Sequence, residues 1–184
     1  MRLVSTLVLG LTLVAAHSFS QAIYTTDTSM VSFFSATPVE NIEAFNTAST
    51  SMLNVNKKEI VFSVPIAGFK FEQALMEEHF NENYMESDKY PYATFKGKLS
   101  DSLDLSKDTI YSVTATGMMN VHGQDRMEAF SGFIVCKNGR AALTCDFAIA
   151  LRNYNIKVPK VVFANIAEVI EVKTYFEFKP YEEK

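Results

Sequence analysis

Past its N-terminal apolar run, the sequence offers His79 and His122, Cys136 and Cys145, and Arg126, Arg140 and Arg152 as the side chains best suited to chemistry. Their spacing assembles no familiar reactive set. A general base needs a partner that positions it, and neither histidine has one within its own stretch. His122 sits beside Gly123 at the end of an alternating run. It reads as a polar contact to a ligand headgroup or a catalytic base, or, more simply, as a hydrogen-bonded residue that shapes a turn. His79 adjoins Glu78, and sequence neighbours do not share a helix face. Zinc asks for well-spaced histidines or cysteines with a carboxylate, so no metal is expected. No G-x-S-x-G elbow and no glycine-rich phosphate loop occur. No catalytic residue is assigned, and the chain is not expected to be an enzyme; one that uses His122 is the weakest alternative.

The cysteines are placed by the elements that carry them. Lys137-Asn138-Gly139-Arg140 contains Asn-Gly, the strongest short signal for a two-residue hairpin. Such a turn sets Cys136 opposite Ala141 and Cys145 opposite Gly132. The sulfurs then share a face but lie on the order of 13 Å apart, at about 3.3 Å per residue. A disulfide needs Cα atoms within about 7 Å, so two free, inward, buried thiols are expected.

The stretch that ends at His122 sets the pattern for the chain. In Thr109–Gly123, Tyr111, Val113, Ala115, Met119 and Val121 alternate with Ser112, Thr114, Thr116, Met118 and Asn120. That period of two is a strand with one apolar face. Gln124–Lys137 and Arg140–Leu151 form the Asn-Gly hairpin. Ile23–Thr28 and Met30–Ser35 read as two short strands around a Thr/Ser-rich turn. Ile42–Val55 reads as a strand with a bend, and Glu59–Ile66 and Ala93–Leu99 as further strands. Ile166–Phe178 is the last, with Ile166, Ile170, Val172, Phe176 and Phe178 inward. The period changes once. Phe71, Leu75, Met76, His79 and Phe80 predict a short amphipathic helix over Phe71–Asn81. Ser100–Lys107 reads as a solvated loop, and Arg152–Val162 as a loop around Pro159. Many strands with one helix make an all-β, antiparallel fold. About eight strands closed into a barrel would remove the sheet edges; a two-sheet sandwich is the alternative, and strand spacing does not separate them.

Composition narrows the partners. Of 184 residues, 48% are apolar, with 15 Phe, 8 Tyr, 8 Met and no Trp. That suits a globular domain with a pliable interior. The net charge of −4 and the lack of a basic stretch exclude a nucleic-acid binder, which needs a Lys/Arg surface. Met1–Ala22 carries Arg2, an apolar run from Leu3 to Ala16, and Ser18-Phe19-Ser20 ahead of Gln21, the layout of a secretory signal. The run is short for a membrane span. A signal peptide over 1–20 and a single domain over 21–184 are expected, not spanning a membrane, with the product periplasmic or secreted.

Three groups of residues resemble the YceI-like family of exported bacterial proteins. The first is Glu78-His79-Phe80 and Tyr84-Met85-Glu86, then Lys89-Tyr90-Pro91-Tyr92-Ala93-Thr94-Phe95. The second is Gly117-Met118-Met119-Asn120-Val121-His122-Gly123, similar to the family's G-x-L-x-l-h-G. The third runs from Phe147-Ala148-Ile149 through Asn153-Tyr154-Asn155-Ile156 to Ile166–Val172. The chain departs from the family pattern at Val39–Ser51. The resemblance implies an extended lipocalin-like barrel whose lumen holds an apolar isoprenoid chain, such as a quinone or polyisoprenoid. Phe62, Val64, Tyr111, Val113, Met119, Val121, Phe147 and Ile149 would then face the ligand, with His122 at the rim. One arginine at the mouth could neutralise an anionic headgroup. No cofactor is required beyond a bound lipid. An exported domain with a filled core and a protein partner is the competing reading, and a homodimer is among the options.

Overall fold

The computed structural model describes residues 23–38, 41–158 and 166–182, so the expected signal over 1–20 lies outside the described residues. Ten strands run in chain order: β1 Ile23–Ala36, β2 Asn41–Asn46, β3 Thr50–Asn54, β4 Glu59–Pro65, β5 Lys70–Phe71, β6 Tyr92–Leu99, β7 Thr109–Val121, β8 Gln124–Lys137, β9 Arg140–Ala150 and β10 Val169–Pro180. Every adjacent pair is antiparallel. Eight of them close a ring in the order β1-β3-β4-β6-β7-β8-β9-β10, and β10 returns to β1. A barrel, not a sandwich, is the outcome. Its eight strands enclose about the space that side chains fill or share with one small ligand.

The first strand differs from its expected form. Ile23–Ala36 is one continuous strand, because the register against β10 shifts between Thr26 and Thr28. Asp27 is the extra residue of a bulge, which bends a strand without ending it. It pairs with Lys179 at 2.9 Å. The expected bend in Ile42–Val55 is a corner at Thr47–Ser49 between β2 and β3. Asn46, fully buried, builds that corner. Its side-chain oxygen accepts from Ala48 N–H at 2.8 Å and Ser49 Oγ at 3.1 Å, and its amide donates to the Pro65 carbonyl at 2.7 Å. β2 therefore leaves the ring beside β1 and pairs outward with β5.

The helix also moves. α1 covers Ala74–His79 and continues through a wider, π-type turn to Tyr84. Phe71 is a strand residue paired with Ala44; its spacing from Leu75 fits a helix, but its backbone bonds go to β2. No residue of α1 is fully buried. The loop after β6 is less solvated than its charges suggest, since Leu103 and Leu105 are buried. The hairpin register holds, with Cys136 opposite Ala141. Both thiols are free, but Cys145 is only half-buried.

Candidate functional site: an apolar lumen with one open end

The strand ends sort into two rims. One carries the β3–β4 turn, the loop 100–108 and the Asn138-Gly139 turn. The other carries residues 66–91, the His122-Gly123 turn and the segment after β9. At the first rim the barrel is packed shut by Ile134, Cys136, Ala141 and Phe178, with Leu103 and Leu105 among the buried core. At the second, a cavity of about 430 Å³ opens inside the barrel. That volume falls in the range of small-molecule sites, about 300–1,000 Å³. Gln73, Leu75 and His79 line it and are exposed as well, so it meets solvent beside α1.

Period-two strands deliver the lining. On β7, Val113, Ala115, Met119 and Val121 face the cavity; β4 adds Phe62 and Val64, and β9 adds Phe147 and Ile149. Seven of the eight expected lumen residues thus lie on its wall. Tyr111 does not. It is the next inward residue of β7, below the cavity, and its hydroxyl donates to the Asp104 carbonyl at 3.0 Å while accepting the Asp104 N–H at 3.1 Å. Alternation assigns the correct face but not the depth along the barrel.

Two groups of phenylalanines shape the lumen. Phe33, Phe69, Phe71 and Phe80 pack with ring centres 5.0–5.8 Å apart and hold the helical segment against β1. Phe176, Phe62, Phe95, Phe130 and Phe147 form a chain across the interior at 4.4–6.4 Å. These spacings are those of favourable aromatic pairs. Phe95 lies over Gly97, where a Cβ would come within 2.6 Å of its ring. Neither group was singled out from the sequence, although Phe69, Phe71 and Phe80 cluster there and the Phe count is high.

The wall changes character at the β8–β9 seam. These strands pair only over Phe133–Lys137 with Arg140–Thr144. Toward the mouth they part, and the Phe130–Phe147 ring contact at 4.4 Å and the Cys145 thiol, which donates to the Ser131 carbonyl at 3.3 Å, bridge the gap. Burial pushes the Cys145 thiol up to about 11, with the Asp146 charge adding to it.

No Asp, Glu, Lys or Arg lines the cavity among the described residues. Arg126 instead pairs with Glu128 at 3.5 Å, and neither Arg140 nor Arg152 lines the cavity. The polar lining side chains, besides the Cys145 thiol, are Ser35, Gln73, His79, Tyr84, Thr94 and Thr174.

His122 lies next to lumen residue Val121 but outside the cavity wall. It adopts φ +52° in a two-residue turn with Gly123 at +70°, a left-handed conformation that Gly takes freely and that His, like Asn, adopts more readily than most side chains. Its ring ties three segments together. Nδ1 donates to the Tyr154 carbonyl at 3.1 Å, Nε2 lies 2.9 Å from Glu86 Oε2, and Tyr90 packs on it at 4.5 Å. The Tyr154 hydroxyl in turn donates to Glu128 at 3.3 Å, and burial pushes Tyr154 up to about 12. His122 thus pins the mouth segments together at the rim. Among the described residues no group of His, Cys, Asp and Glu is arranged to hold a metal, and no helix is long and apolar enough to cross a membrane.

A family model described as the YceI-like domain matches residues 13–178. The chain belongs to the YceI-like family. Among solved structures, a polyisoprenoid binding domain from Saccharophagus degradans aligns over 86% of this chain and 98% of its own, with a TM-score of 0.71 and 13% identity. BcnA of Burkholderia cenocepacia aligns over 81% and 95%, with a TM-score of 0.68 and 13% identity. A Campylobacter jejuni YCEI protein aligns over the full length of both chains, with a TM-score of 0.52 and 12% identity. At these identities the likeness is one of fold. No curated protein matches the chain.

Proposed function

We propose that this protein binds a lipid with an isoprenoid-type chain in its lumen, carrying the chain inside the barrel and an uncharged head at the mouth. The observation that carries the reading is a cavity with an apolar wall and no charged residue among its described lining, open beside α1. Each buried methylene contributes about 0.8 kcal/mol, so a dozen chain carbons supply roughly 10 kcal/mol before the entropy lost on association. A charged phosphate head would find no cation on this wall and would bear an uncompensated desolvation cost. A quinone or alcohol head suits Gln73, His79 and Tyr84 better. The polyisoprenoid binding domain that shares the fold supports the same class of ligand. The competing reading, a filled core, sits poorly with a cavity of about 430 Å³.

The site is proposed as one of sequestration, not turnover, because the best-connected histidine holds loops together instead of facing the cavity. The signal-like residues 1–20 support export, to the periplasm or beyond. Purified protein extracted with organic solvent should release an apolar, isoprenoid-type lipid detectable by mass spectrometry. An extract without lipid, from protein that also fails to take up added prenol or quinone, would remove the reading.

A further inference from the structure

The depth of the lumen is bounded by one row of side chains. Tyr111, Ile134, Leu143 and Phe176 are direct cross-strand partners on β7, β8, β9 and β10. Leu143 and Phe176 show to the cavity, while Tyr111 and Ile134 do not reach it. One row further from the mouth, Ala141 and Phe178 are buried and also absent from the wall. On these four adjacent strands the wall therefore ends at Val113, Gly132, Leu143 and Phe176, within one inward position along the strands. Behind it, the leucines of the loop 100–108 are buried. That loop is fixed by two hydrogen bonds between the Tyr111 hydroxyl and the Asp104 backbone and by Asp108, which accepts the Asn138 N–H at 2.8 Å.

We infer that this row is a length gauge: Leu143 and Phe176 set the longest chain segment the lumen can bury. The inference rests on the lipid-binding reading above. A tube open at both ends would let a long chain thread through, and affinity would keep rising with chain length. A tube closed at one end buries a fixed length, and the remainder of a longer chain stays in solvent. On β7 the wall extends from Val121 to Val113. Those eight steps span ~26 Å at about 3.3 Å per residue, or ~20 Å along an axis to which strands tilt by about 40°. The extended chain of geranylgeraniol matches that depth.

The test is equilibrium dialysis of lipid-extracted protein against the uncharged prenols geraniol, farnesol, geranylgeraniol and solanesol. Affinity should rise at least tenfold per added isoprene unit, since each buried methylene is worth about fourfold. The rise should end at geranylgeraniol, with solanesol no tighter. Leu143→Ala should move the break to a longer chain by about one isoprene unit. Val113→Phe, which fills space instead of opening it, should move the break the other way and serves if Leu143→Ala does not fold. A rise that continues to solanesol, or a break that neither variant moves, overturns the gauge and leaves the lipid reading standing. Failure of every prenol to bind overturns both.

Discussion

Around the floor of the barrel, Tyr111, Ile134, Leu143 and Phe176 pair from strand to strand without a gap, and Cys136, Ala141 and Phe178 behind them are buried. Around the mouth, β8 and β9 part beyond Phe133 and Thr144, and β2 leaves the ring to pair with β5. At the β8–β9 seam the sheet is thus closed by hydrogen bonds near the floor and by a ring contact and the Cys145 thiol near the mouth, while β4–β6, β7–β8 and β9–β10 stay laddered to the rim. A hydrogen-bonded ladder fixes one register, whereas ring contacts can yield and re-form around a guest. The difference separates two jobs: the floor supplies stability, and the mouth supplies room.

The largest effect expected from that division is on stability at the floor. Phe176→Ala removes a ring that is 1% exposed and should lower unfolding free energy by about 3–5 kcal/mol. Phe80→Ala, in the half-buried mouth cluster, should cost less than half of that, yet weaken prenol binding more. Urea unfolding with and without prenol separates the two. Equal stability losses would erase the distinction. Next comes the residue that splits the mouth open. Asn46→Ala leaves the Pro65 carbonyl and Ala48 N–H without their partner and should cost about 2–3 kcal/mol. Hydrogen exchange should quicken in β2 and β5 before the floor strands.

A smaller effect is expected at the rim. His122→Asn keeps a residue suited to positive φ in the turn but releases Glu86 and Tyr154. Stability should change by no more than about 1 kcal/mol, since Glu86 is 46% exposed and such pairs are weak. Amide exchange should rise in residues 85–91 and 151–156 and stay unchanged at the floor. Slower exchange, or a floor that loosens too, would contradict the role given to His122. The smallest effect concerns the floor loop in acid. Hydrogen bonds from Ser106, then Lys107, hold Asp104 down to about 2 from 3.8. A depressed carboxyl adds stability that is present above its unfolded value and lost as pH falls through its folded one. The contribution of Asp104 should therefore fade between about pH 4 and pH 2, and the decline should be absent in Asp104→Asn.

The same contrast explains what was legible in the sequence. Alternation in Thr109–Val121 and the Asn138-Gly139 turn fixed faces and registers that the structure reproduces, down to Cys136 opposite Ala141. Both are local signals, carried by neighbouring residues. A Thr/Ser-rich turn and a bend are legible at the sites of the Asp27 bulge and the Asn46 corner, but that the first leaves β1 continuous and the second turns β2 out of the ring, like the start of the helix, depends on partners elsewhere in the sheet. Tyr111 is the instructive case among the lumen residues. It shares the apolar face with Val113, but the loop 100–108 reaches in to claim its hydroxyl. Nor does alternation distinguish a filled barrel from a hollow one, since both need the same inward apolar rows. The phenylalanines that leave the space open sit on seven strands, β1, β4, β5, β6, β8, β9 and β10, and at Phe69 just before β5 and Phe80 in the helical segment.

The two cysteines report on the two halves directly. Cys136 lies behind the floor and is buried, whereas Cys145 lines the cavity. Alkylation of lipid-extracted protein should modify Cys145 alone, at a rate that climbs as pH approaches about 11. Added geranylgeraniol should block that reaction at one equivalent per chain, while Cys136 stays unmodified throughout. If prenol leaves the Cys145 rate unchanged, or if both cysteines react alike in the folded protein, the barrel is not a closed floor beneath a lipid-filled mouth.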